Sequence, residues 1–126
     1  METDMTLFAI AAQVVIALGI FNVWILRRNR ATPYRPDGAA DLEDEFRRYG
    51  LPDWVRSAVG ITKVGLAVLL IIGVVFSPIA APSAAVMAVL MVAAIAAHVK
   101  VGDPVKRSAP ALLMLLLSVI VVVGQT

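Results

Sequence analysis

Residues 7–26 form an almost unbroken apolar run in which Gln13 and Asn22 are the only polar side chains. A helix of that length spans about 30 Å, one bilayer hydrocarbon core. Three more apolar runs follow, at residues 58–76, 84–99 and 109–124. Hydrophobic residues make up 60% of the 126-residue chain and charged residues only 16%. A soluble globule this small has too little interior to hide that much apolar surface. The pattern excludes an ordinary soluble domain and a disordered chain. It predicts an all-α membrane protein, a four-transmembrane-helix bundle forming a single membrane domain over residues 1–126.

The connectors differ in kind. Residues 27–57 hold most of the charge. Pro33, Pro36 and Gly38 forbid a helix interior early in this loop. Residues 41–49 then predict a short amphipathic interfacial helix. Asp41 can cap it, acids crowd its first turn, Arg47 and Arg48 sit in its last, and Leu42, Phe46 and Tyr49 share a face. Gly50 ends it and Pro52 blocks its continuation. Such a helix either packs on the bundle or lies in the headgroup layer, and contact with lipid or helix ends is expected. Residues 77–83 read as a tight uncharged turn with two prolines, and residues 100–108 as a short charged loop. Ser108 is a candidate cap for the fourth span, with Pro110 tolerated in its first turn. Short connections make consecutive helices antiparallel neighbours.

Loop charge sets the expected orientation. The first loop carries seven arginines and the third connector Lys100, Lys106 and Arg107; the eleventh basic residue, Lys63, lies inside a span. The N-terminus, the 77–83 turn and the tail carry no Lys or Arg. Both charged loops are therefore expected in the cytoplasm and both termini outside. The acidic start, Met1-Glu2-Thr3-Asp4, does not read as a secretory signal.

Several chemistries are excluded by composition. Without cysteine there is no disulfide, thiolate nucleophile or iron–sulfur ligand set. One histidine, His98, cannot supply a bis-His haem or a His-rich metal site from one chain. No catalytic residue and no metal ligand set is expected. The pI of about 9.4 does not point to nucleic acid, because the basic residues flank apolar runs.

The polar residues inside the spans are the candidates for function. Lys63 lies about five residues inside the second span, where it either snorkels to headgroups or faces the bundle with Gly60, Ala67, Leu70 and Val74. His98 ends the third span on a face with Met91 and Met87. It reads as an interfacial histidine or as a ligand donor, and the methionines as packing or as a lining. Asn22 falls at similar depth, near Trp24 and Tyr49. Lys63, His98, Asn22, Met91 and Met87 are thus the candidate ligand set, with Lys63 and His98 donating to quinone carbonyls or a lipid head group. No covalently bound cofactor is expected. Gln13 and Asn22 lie nine residues apart, on opposite sides of one helix, so both cannot face the bundle centre. Gln13 is the candidate for a rim contact with a partner subunit or a second copy. Arg47, Arg48, Phe46 and Trp54 are the corresponding docking candidates near the end of the first loop. The loop's seven basic and six acidic residues also suit a solvated face of interleaved charge.

Phe21-Asn22-Val23-Trp24 precedes an arginine cluster and Thr32-Pro33-Tyr34-Arg35; Glu45-Phe46 leads to Tyr49-Gly50-Leu51-Pro52; Gly60 and Lys63 follow, then Ala97-His98-Val99-Lys100-Val101-Gly102-Asp103-Pro104 before Pro110. In this order, from about Phe21 to Ser118, the combination resembles the DoxX-like family of small four-helix membrane proteins. The resemblance implies a bacterial or archaeal inner membrane. It offers a non-catalytic accessory or assembly subunit of a larger membrane complex, or a quinone-interacting subunit of an oxidoreductase as in the DoxD branch. DoxX itself is linked to a complex with a superoxide dismutase and a sulfurtransferase. Many relatives carry Glu near the position of Lys63, so a carboxylate role does not transfer. A transporter is disfavoured, because the halves do not repeat and the spans lack acids.

Overall fold

The computed structural model describes residues 2–26, 41, 46–47 and 49–125. Helix α1 is Glu2–Phe21, prolonged by a π-helical turn over Asn22–Leu26. Helices α2, Asp53–Val75, α3, Ala80–Lys100, and α4, Ala109–Gly124, follow. No strand occurs among the described residues. The stretches Thr6–Ile25, Trp54–Val75 and Ser77–Lys100 are long and apolar enough to cross a membrane, and Ala109–Gly124 is a shorter apolar helix of the same character. Each helix packs on its neighbours in chain order, and α4 closes the ring against α1. The chain is thus a multi-pass helical membrane bundle.

Helices α1, α2 and α3 begin before their apolar runs for local reasons, while α4 begins with its run at Ala109. Pro52, extended at φ −70° and ψ 159°, stops the chain from being helical before Asp53, and its carbonyl accepts the Val55 N–H at 3.0 Å. The turn after α2 is a 3-10 turn over Ser77–Ile79 that runs directly into α3. The apolar run predicts α3 from residue 84, yet it starts at Ala80. Pro82 falls in its first turn, where no intrahelical N–H is needed. Ser108 does not cap α4: it closes a 3-10 turn over Val105–Ser108 and makes no capping side-chain bond. The expected 41–49 helix is not resolved as an element. Phe46 and Arg47 are helical, while residues 42–45 and 48, including Leu42 and Arg48, lie outside the described residues.

The interior is small-residue and aliphatic. Ala12, Ile16 and Ile20 of α1 meet Leu66, Ala67 and Leu70 of α2 and Ala80, Ala84, Met87 and Met91 of α3, with Ala111 and Val121 from α4. Outward, large apolar side chains are bare, among them Phe8, Ile61, Val75, Val89 and Val123. Water would not tolerate that surface, and lipid does. In lipid the hydrophobic effect no longer separates inside from outside, so helix association rests on close packing and interhelical hydrogen bonds. Gly73 serves both. A Cβ there would stand 3.0 Å from the Ala80 Cβ and 3.2 Å from the Gln13 amide nitrogen.

Candidate functional site at the loop end of the bundle

Two hydrogen-bonded turns meet at the end of the bundle that carries the charged loops, one between Phe46 and Leu51 and one at the end of α3. At the first, Leu51 N–H bonds the Phe46 carbonyl and Gly50 N–H the Arg47 carbonyl, both at 3.0 Å. At the second, Asp103 N–H bonds the His98 carbonyl at 3.0 Å and Gly102 N–H the Val99 carbonyl at 3.1 Å. This is the same six-to-one and five-to-two closure twice, and each requires a left-handed residue. Gly50 at φ 75° and Gly102 at φ 72° supply it. The two caps interlock, since Lys100 Nζ donates to the Tyr49 carbonyl at 2.8 Å.

The side chains of these caps form a buried network. His98 Nδ1 lies 2.7 Å from Asp103 Oδ2, with both side chains less than a tenth exposed. With Nδ1–H given to the carboxylate, a neutral ring presents Nε2 as an acceptor. Tyr49 Oη lies 3.4 Å from that Nε2, at the long edge of hydrogen bonding. The Tyr49 and His98 rings meet edge to face at 5.7 Å.

Aromatic contact continues toward the membrane. Phe46 stands edge-on to Tyr49 and Trp24 edge-on to Phe46, each pair with centroids 5.9 Å apart. The π-helical turn carries Trp24, and its ring lies on α2. A Cβ on Gly60 would come within 2.8 Å of two ring carbons, so only glycine leaves room. One turn further on, Lys63 places its Nζ 5.4 Å from the indole centroid. Lys63 is buried, at 8% exposure, and its ammonium is held against an aromatic face. Gly60 thus admits the indole, and Lys63, one turn on, lies over its ring.

The family comparison bears on this end directly. A family model described as the DoxX-like family matches residues 35–121. The chain belongs to the DoxX-like family. The match holds Phe46, Tyr49, Gly60, Lys63, His98 and Asp103, whereas Gln13, Asn22 and Trp24 precede it. No curated protein and no solved structure matches the chain.

In this DoxX-like protein the sequence candidates separate. Lys63 and His98 stand at the two ends of the aromatic row. Met87 and Met91 belong to the packed core between the helices. Asn22 is on an exposed side of the π-helical turn. Gln13 is not at a rim: it is fully buried, its amide donates to the Leu70 carbonyl at 2.8 Å, and its oxygen accepts from Gln125 at 2.8 Å. The nine-residue separation held, with Gln13 inward and Asn22 outward. An isolated amide is costly against lipid, and Gln13 meets that cost inside the bundle with partners from α2 and the chain's end. Phe46 is spent on its own chain, while Arg47 is exposed and Trp54 is 72% exposed. Asp103 and the Tyr49 phenol went unassigned in the sequence. The signal for Asp103 was its place directly after Gly102, five residues beyond His98. Among the described residues, no group of three His, Cys, Asp or Glu side chains is placed to hold a metal.

Proposed function

We propose that this DoxX-like protein is a non-catalytic accessory or assembly subunit of a larger membrane complex, embedded in the inner membrane with its charged loops in the cytoplasm. The observation that carries the reading is the use of the loop-end polar groups within the chain itself. His98 bonds through both ring nitrogens, and Lys100 closes the two caps on each other. Such an end is a rigid platform for a neighbouring protein. A ligand at either His98 nitrogen would have to break a bond already made. Trp54 in the first turn of α2 and Arg47 before the Gly50 cap offer an exposed aromatic and an exposed cation beside that platform, the side-chain types that carry binding energy at interfaces.

A quinone-interacting subunit is the second reading. Its support is Lys63, a buried cation inside a span toward the loop end, lying against an aromatic ring. Purification from native membranes in a mild detergent, followed by mass spectrometry of proteins and extracted lipids, separates the two. Co-purifying subunits without stoichiometric quinone are expected. Quinone retained by the isolated chain would overturn the accessory reading.

A further inference from the structure

We propose that Tyr49 is a redox-active tyrosine, a one-electron donor whose phenol proton passes to His98 as the electron leaves. This goes beyond the subunit role above and does not depend on it. Losing an electron makes a phenol strongly acidic, so a buried tyrosine gives one up readily only if a base stands at its oxygen. His98 Nε2 is that base, 3.4 Å from the Tyr49 oxygen. The imidazolium then formed is held by the Asp103 carboxylate at 2.7 Å. It also sits in the last turn of α3, where the helix dipole favours a cation. Tyr49 is only 6% exposed, which shields a radical from solvent and from coupling to another.

The aromatic row links Tyr49 to the membrane side of the bundle. Trp24 is half-buried at the membrane side of the row, and Phe46 bridges it to Tyr49 by edge contacts at 5.9 Å. The Lys63 ammonium, 5.4 Å from the indole centroid, raises the energy of a positive hole on Trp24. Oxidation therefore rests on Tyr49, where a base can take the proton, and not on the indole.

The oxidant class suited to this depth is a lipid peroxyl radical. It gains the electron and becomes a peroxide anion, which takes a proton from water at the headgroup layer, releasing hydroxide, to give the hydroperoxide. Tyr49 loses the electron and its O–H bond and is left as a neutral phenoxyl. The proton rests on His98 Nε2.

The test uses the full chain in lipid nanodiscs with a ruthenium polypyridyl photo-oxidant and persulfate, read by electron paramagnetic resonance. A neutral tyrosyl signal is expected. It should be lost in Tyr49→Phe and kept in Tyr34→Phe, the chain's other tyrosine. His98→Gln should slow its formation by about a hundredfold, the low end of what a positioned proton acceptor contributes. Should that variant fail to fold, heavy water on the unmodified chain gives the same information: formation should slow, because the proton moves with the electron. In vesicles of polyunsaturated lipid carrying a peroxyl source, the chain should retard lipid oxidation and Tyr49→Phe should not. The proposal is overturned by no tyrosyl signal, by a signal resting on Trp24 or Tyr34, by a rate indifferent to both His98→Gln and heavy water, or by equal protection from the Phe variant.

Discussion

At the loop end of the bundle, Lys63, His98 and Asp103 are packed among aromatic rings and helix caps. At the end that carries Gln125, two neutral amides, Gln13 and Gln125, meet beside the Leu70 carbonyl. Both ends bury polar groups, but of different kinds. Ionisable side chains stay near the polar loops, where each has a compensating partner at hand. Uncharged amides enter the helix interior, because an amide finding a carbonyl there costs far less than a charge. The loop end is thus a joint between two chain segments, and the other end a local tie between helices.

The largest effect should come from breaking the joint. Asp103→Ala removes the carboxylate from His98 and is expected to cost about 2–3 kcal/mol, as for a buried hydrogen bond to a charged group. Chemical unfolding in mixed micelles measures it, and a loss no larger than that of an exposed-site control would refute the joint. Gly60→Ala comes next, at about 2 kcal/mol, since its Cβ would collide with the Trp24 ring. Adding Trp24→Ala should recover part of that loss, and purely additive losses would mean that the indole does not lie on Gly60. Gln13→Leu should cost about 1 kcal/mol, the scale of an interhelical hydrogen bond in a membrane. A neutral result there would reduce the amide tie to a coincidence of packing. Lys63→Met is the smallest, within about 0.5–1 kcal/mol for the indole contact, since a thioether also packs on the ring. A loss as large as that of Asp103→Ala would make Lys63 part of the joint.

Much of the bundle was legible in the sequence because lipid imposes a one-dimensional rule. Apolar runs of bilayer length become helices, and loops take the charge. Gly50 was legible as a helix stop for the same kind of reason, since few residues accept a left-handed backbone. The π-helical turn at Asn22–Leu26 was not, because an extra residue per turn leaves no mark inside a continuous apolar run. The inward choice of Gln13 over Asn22 was not legible either. Periodicity fixes that they oppose each other, and only the Leu70 carbonyl and Gln125 decide which one turns in. At the candidate site, depth along the spans groups Lys63, His98 and Asn22 near Trp24 and Tyr49, and the structure puts all of these but Asn22 along one aromatic row. Depth did not order them into a row, nor reveal Asp103 as the partner of His98, because those depend on how two caps face each other across distant parts of the chain.

The proposed orientation sets the two ends on opposite faces of the membrane, with the loop end inside. The chain has no cysteine, so one introduced cysteine reports one position. Ser77→Cys in the exposed turn after α2 and Lys106→Cys in the exposed connector before α4, treated in intact cells with a membrane-impermeant maleimide, test this directly. Labelling of Ser77→Cys with Lys106→Cys protected until the cells are opened is the predicted result; the reverse pattern, or labelling of both from one side, would contradict it.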